Sequence, residues 1–233
     1  MLHATDLTKE YGDFTALKAL NLEVKPGEIF CLLGANGAGK STTINLFLNF
    51  IEPSAGKASI NGLDVTEQSR ETRQMLSYIP ENLMLYPHLT GLENLDFFCG
   101  LKGTSYQKDE LVELLKQSGL QADFIRKRVS SYSKGMRQKV GIALARARDA
   151  SVLLLDEPTS GLDPKASNEF SELLLEMKEK GVATLMATHD LFRAKATGTH
   201  IGIMKEGVLL EQFAADDVSF QDIEELYLTH MHN

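Results

Sequence analysis

The segment Gly34–Thr42, GANGAGKST, constrains this chain more than any other stretch. An uninterrupted apolar run, Ile29–Leu33, leads into it, and Ile44, Phe47, Leu48 and Ile51 follow at i, i+3, i+4, i+7 spacing. That order predicts a strand covered on both faces, a glycine-rich turn and an amphipathic helix. The segment fits GxxxxGK[ST], whose glycines let the backbone wrap so that successive N–H groups point at phosphate oxygens. The start of the helix adds the positive end of its dipole. Lys40 brings a mobile ammonium to the terminal phosphates, and Ser41 a hydroxyl ligand for Mg²⁺. The plainer alternative is a glycine turn before a helix. The flanking strand and helix favour a nucleoside triphosphate site made of Gly34, Ala35, Asn36, Gly37, Ala38, Gly39, Lys40, Ser41 and Thr42.

A second stretch, VLLLDEPTSGLD from Val152 to Asp163, runs an apolar strand into two adjacent carboxylates. Burying charge beside such a strand is costly without a compensating cation or reacting group. If the strand lies beside the phosphate loop, Asp156 can hold Mg²⁺ through water. Glu157 then orients and polarises the water that attacks the γ-phosphate. The alternative is an acidic pair facing solvent at a strand end.

The 233 residues suffice for one large domain or a core with a smaller lobe. A net charge of −8 speaks against a nucleic-acid binder with a general basic surface. Cys31 and Cys99 lie far apart in apolar surroundings without metal-ligand spacing, so reduced, buried thiols are expected. The amino terminus lacks a secretory pattern, and no apolar run approaches the roughly 20 residues of a spanning helix. The expectation is therefore a chain that does not itself cross a membrane.

Strands are expected over Leu17–Val24, Ile29–Leu33, Ala58–Ile60 (entering a tight turn at Asn61-Gly62), Val152–Leu155, Val182–Thr188 and Ile201–Met204. Helices are expected over Lys165–Lys180 and Asp216–His230. Residues 89–128 hold helical patterns and no strand, which reads as an inserted lobe. The division expected is 1–88 with 129–215, then 89–128, with 216–233 as a C-terminal helix.

The decisive stretch is SSYSKGMRQKVGIALARA, Ser130–Ala147. Ser133 is placed as the N-cap of a helix with Met136, Val140, Ala143, Leu144 and Ala147 on one face. Ser133-Lys134-Gly135-Met136, shortly before the acidic strand, resembles the signature of the ATP-binding cassette (ABC) ATPases. The resemblance runs from Tyr11 to about Gly207. It implies an α/β fold: a P-loop NTPase (RecA-like) core with an antiparallel β subdomain and an inserted α-helical subdomain. It implies ATP and Mg²⁺, with Tyr11 stacking on adenine, Asp163 in a loop that crosses to a partner subunit, and His189 contacting the γ-phosphate. Ser133, Lys134, Gly135 and Met136 would meet the ATP of the opposite subunit.

Three positions, in two segments, depart from the family pattern. Glu81 stands where many members have glutamine, and retains an oxygen ligand for Mg²⁺. Lys134 stands where glycine is usual, with Met136 in place of glutamine. Lys134 either adds positive charge near the partner's triphosphate or faces solvent. YIPEN and YSKGMRQK look similar to the branch serving type-2 ABC exporters. The resemblance thus implies an ATP-hydrolysing subunit that dimerises, with itself or a similar ATPase subunit, on a separately encoded transmembrane permease. It would sit peripherally on the cytoplasmic face of the cell membrane and bind no nucleic acid. The run LMLYPHLTGL, Leu83–Leu92, is either a docking surface for the permease or core of the lobe. The rival readings are a soluble ABC ATPase acting on ribosomes or DNA, and a regulatory nucleotide-binding module with little hydrolysis. The first usually carries tandem cassettes or long coiled-coil insertions. The set Asp156, Glu157 and His189 argues against the second.

Overall fold

A computed structural model describes residues 1–101 and 103–232, of which residues 231 and 232 by backbone alone. Lys102 and Asn233, which the expected lobe and terminal helix included, lie outside the described residues.

The chain opens with β1 (Leu2–Tyr11) and β2 (Phe14–Val24), then runs through the buried β3 (Ile29–Leu33) into α1 (Lys40–Phe47). β4 (Ala55–Ile60) and β5 (Leu63–Asp64) form a hairpin, followed by α2 (Ser69–Met75) and β6 (Leu76–Ile79). Helices α3 (Gly91–Gly100), α4 (Lys108–Gln117), α5 (Ala122–Ile125) and α6 (Lys134–Ala147) come next. The chain then alternates β7 (Val152–Asp156), α7 (Pro164–Glu179), β8 (Ala183–Thr188) and α8 (Leu191–Thr197). It ends with β9 (His200–Lys205), β10 (Val208–Ala214) and α9 (Phe220–His232).

Two sheets result. The larger has the order β10-β9-β3-β8-β7-β6, parallel from β9 to β6 with β10 antiparallel at one edge. The smaller, β2-β1-β4-β5, is antiparallel. This is the α/β architecture expected, with helices on both faces of a mainly parallel sheet. Asn61 and Gly62, at φ 50° and 82°, make the tight turn between β4 and β5.

Three apolar clusters hold these layers. One lies between the small sheet, α1 and one face of the large sheet. A second packs α7 and Ile142 of α6 on the opposite face. The third is the core of the helical lobe, where Met136, Val140, Ala143, Leu144 and Ala147 of α6 meet α3 and α4. Helix α6 therefore bridges the lobe and the large sheet.

Several boundaries differ from the expectation. Helix α1 stops at Phe47 although the apolar period continues to Ile51. Asn49 adopts φ 51°, and the N–H groups of Asn49 and Phe50 donate to the carbonyls of Leu46 and Asn45, a Schellman closure that ends the helix. The terminal helix begins at Phe220 rather than Asp216, because Ser219 and Asp222 cap its first turn reciprocally. The strands β1 and β10 and the short helices α2 and α8 were not expected at all.

Phe170 of α7 is 1% exposed within the second cluster. Phe170→Ala should lower unfolding free energy by about 3–5 kcal/mol, read from urea denaturation.

Candidate functional site

The parallel strands deliver the site at their carboxyl ends. Strand β3 enters Gly34, where a Cβ would lie 2.5 Å from Met204 O, so only glycine fits. Gly39 closes the loop at φ 104°, a conformation open to glycine, directly before α1. The loop is strapped to the β9–β10 turn by Gly207 N–H donating to Ala38 O at 3.0 Å. These constraints leave Lys40 as the first residue of α1, its side chain 6% exposed.

Lys40 Nζ donates to Gly34 O at 2.6 Å and Ala35 O at 3.2 Å, and lies 3.5 Å from Glu157 Oε1. Ser41 Oγ donates to Asp156 Oδ1 at 3.1 Å, joining α1 to the end of β7. Glu157 follows at φ 46°, in the left-handed region, pinned by its N–H donating to Ala187 O on β8 at 2.9 Å. Such a conformation in a non-glycine residue costs energy and is kept where the surroundings over-determine it. It turns the carboxylate toward His189, whose Nδ1–H donates to Oε2 at 2.8 Å. The other oxygen, Oε1, is buried and accepts no hydrogen bond.

Burial raises the Asp156 carboxyl above its ordinary value. The Ser41 hydrogen bond lowers it, Glu157 raises it, Lys40 lowers it and Glu81 raises it. Hydroxyl and carboxylate oxygens at Ser41 and Asp156 are hard donors that suit Mg²⁺. Among the described residues no cluster of His, Cys, Asp or Glu could cage a metal alone. The remaining ligands would come from phosphate and water, which is how Mg²⁺ is ordinarily held.

One recess brings together Tyr11, Ala35, Asn36, Gly37, Ala38, Gly39, Lys40, Ser41, Thr42, Glu81, Asp156 and Glu157. Tyr11 is half exposed, with Lys9 Nζ 4.9 Å from its ring centroid. Phe14, paired with Tyr11 across the β1–β2 turn and 63% exposed, lines the same recess; the sequence reading missed it. An exposed aromatic two residues past a glycine turn was the available signal.

The remaining predicted residues gather elsewhere. Ser133, Gly135, Met136 and Asp163 line a separate recess with Lys139 and Glu169. Ser133 caps α6 by accepting from Met136 N–H at 3.3 Å, and Asp163 caps α7 by accepting from Ala166 N–H at 2.9 Å. A Cβ on Gly135 would lie 3.1 Å from Ala166 Cβ, so the two helix starts are in close contact. Lys134 does not simply face solvent: its Nζ sits 3.5 Å from Glu81 Oε1 of the same chain. The run Leu83–Leu92 divides, with Leu85 and Leu92 in the lobe core and Met84 83% exposed.

The model of the ABC transporter family matches residues 17–160. The chain belongs to that family. It is 36% identical over 228 residues to YbhF of Escherichia coli, a probable multidrug ABC transporter ATP-binding protein, covering 95% of this chain and 38% of that one. It is 37% identical over 217 residues to the bacitracin transport ATP-binding protein BcrA of Bacillus licheniformis, covering 93% of this chain and 70% of that one. A solved ATP-binding subunit of an ABC transporter superposes with TM-score 0.85 at 32% identity, covering 98% of both chains. The cassette MJ0796 in a dimeric post-hydrolysis state, bound to ADP and phosphate, superposes with TM-score 0.82 at 27% identity over 92% of this chain and 99% of that one. The P-loop NTPase fold and a nucleotide-binding cassette are thereby established for this chain.

A carboxyl raised on folding binds protons more readily in the native state, so its contribution to stability falls as pH rises through the interval above its ordinary 3.8. Asp156→Asn should therefore raise the Tm of the ligand-free protein by about 1–3 °C at pH 7 and give no gain below about pH 3.8. Thermal melts across pH measure this.

Proposed function

We propose that this chain is the ATP-hydrolysing subunit of an ABC transporter, acting as a dimer on a separately encoded permease, in the export direction. The observation that carries the reading is the division of the predicted residues between two recesses. The phosphate recess holds Lys40, Ser41, Asp156 and Glu157, with His189 bonded to Glu157. The capped start of α6, with Ser133 and Gly135, faces another recess and has no phosphate loop beside it. A second copy, or a similar ATPase subunit, supplies what each half lacks.

In this reading the loop N–H groups and Lys40 bind the β- and γ-phosphates, Lys40 exchanging the Gly34 and Ala35 carbonyls for phosphate oxygens. Tyr11 and Phe14 hold the adenine. Ser41 and Asp156, with Glu81 on the same recess wall, would hold Mg²⁺, which would supply charge neutralisation to the triphosphate oxygens. Glu157 accepts the proton of the attacking water at Oε1, the oxygen that takes no hydrogen bond and has only the Lys40 ammonium near it, at 3.5 Å. His189 fixes the carboxylate through Oε2 and reaches the γ-phosphate. Ser133 and the first N–H groups of α6, with Lys134, Gly135 and Met136 around them, receive the γ-phosphate bound by the partner. Asp163 sets the loop at the boundary between copies. Loss of that phosphate removes the bridge and the pair reopens.

Among the described residues no helix is long and apolar enough to cross a membrane. Attachment to the cytoplasmic face would therefore come through the permease. An apolar groove lined by Leu48, Phe50, Leu83, Met84, Phe98 and Leu144 suits that contact. Phe50 and Met84 stand 64% and 83% exposed, and a soluble surface seldom leaves such residues together without a partner. The names of the relatives, which describe multidrug and bacitracin transport, support the direction of export.

Glu157→Gln should bind ATP, accumulate as a dimer on size-exclusion chromatography with MgATP, and lose phosphate release by about 10²-fold or more. Turnover at the normal rate would remove Glu157 from its role.

A further inference from the structure

Glu81 and Lys134 both depart from the residue types the family resemblance leads one to expect, and the structure joins them. Glu81 Oε1 accepts from Ser160 Oγ at 3.1 Å and lies 3.5 Å from Lys134 Nζ. Glu81 is on the wall of the phosphate recess, whereas Lys134 is the first residue of α6. The backbone here is tied independently. Gln138 Nε2 of α6 donates to the carbonyls of Pro80 and Glu81, each at 3.3 Å. Gly141 lies so close to the same loop that a Cβ would come within 3.0 Å of Leu83 Cδ2. Loop and helix are thus held as one body, and the Glu81–Lys134 contact can open without disturbing the backbone.

We propose that Glu81 and Lys134 form an ion-pair latch, closed in the empty chain and opened by a metal–nucleotide complex in the phosphate recess. The inference rests on the reading of that recess as a Mg²⁺–nucleotide site. Without a cation the negative charge of Asp156, on the same recess wall, repels Glu81 and favours the ammonium. A divalent cation at Ser41 and Asp156 reverses that balance, because it attracts the Glu81 carboxylate in competition with Lys134. Once the carboxylate turns, Lys134 stands uncompensated at the start of α6, beside Ser133 and Gly135. Loading the phosphate recess thereby leaves an unpaired charge at the start of α6, between Ser133 and Gly135, which line the other recess. Lys134 is a positioning residue in this scheme: it acts on the metal through Glu81.

The test is equilibrium binding of mant-ADP, which reports the site without hydrolysis, to the full chain with Mg²⁺ or with EDTA. In wild type, Mg²⁺ should tighten binding by some factor. Lys134→Met should enlarge that factor, the ratio of affinity with Mg²⁺ to affinity in EDTA, about two- to fivefold, the range a half-exposed ion pair can supply. Lys134→Arg should keep the wild-type factor, and in a Glu81→Gln background Lys134→Met should have no effect. An equal change with and without Mg²⁺, or the same Lys134→Met effect in the Glu81→Gln background, overturns the latch. Failure of wild type and every variant to bind mant-ADP overturns the nucleotide reading itself, and the latch with it.

Discussion

The ammonium of Lys40, buried between the carbonyls of Gly34 and Ala35 and the carboxylate of Glu157, is the contact on which the rest of the site is arranged. A charge taken out of water needs partners, and those here come from two distant parts of the chain, the glycine loop and the end of β7. Strand order explains how they meet. β3 lies beside β8, and β8 beside β7, all parallel, so their carboxyl ends share one edge. β3 brings the glycine loop to that edge, β7 brings Asp156 and Glu157, and β8 brings His189. A sheet of the same strands in another order would scatter these groups.

The same edge concentrates several unfavourable local features. Glu157 is in a left-handed backbone conformation, one of its oxygens lacks a hydrogen bond, and Asp156 beside it is shifted toward its protonated form by burial. Each of these opposes folding. Together they describe a pocket that the proposed ligands would complete: phosphate oxygens for the ammonium, a cation for Asp156, a water for Glu157. The apolar layers on both faces of the sheet supply the stability that such a pocket consumes.

The features readable from sequence share one property: they stand where a periodic pattern stops. The glycine loop follows a buried strand, Asp156-Glu157 ends another, and Ser133 precedes an amphipathic helix. Strand β1 escaped the same reading for a physical reason. Its buried residues Leu2, Ala4 and Leu7 break the period of two because the strand is bulged, with Asp6 at φ 47° and Ala19 opposite at φ 45°. The apolar period past Phe47 suggested a longer α1 because Ile51 packs on the same core from outside the helix. The pairing of Lys134 with Glu81 had no local signal at all. Each residue was legible as a departure from the family pattern, but their meeting depends on how α6 lies against the loop after β6.

That packing gives α6 a place in both halves of the chain's chemistry. Its N-terminus carries Ser133 and Gly135 toward one recess, while Gln138 and Gly141, about one and two turns further along, are fitted against the loop that walls the other. Its apolar faces are divided between the lobe and the sheet. Cores packed to this density shift as bodies rather than stretch, so a displacement of the loop is a displacement of the helix start. The apolar groove with Phe50 and Met84 is bounded by the same loop and by Val140, Gly141 and Leu144 of the same helix. On the proposed function, a partner seated in that groove would touch the helix whose start would meet the nucleotide, so coupling between them would need no chain of intermediates.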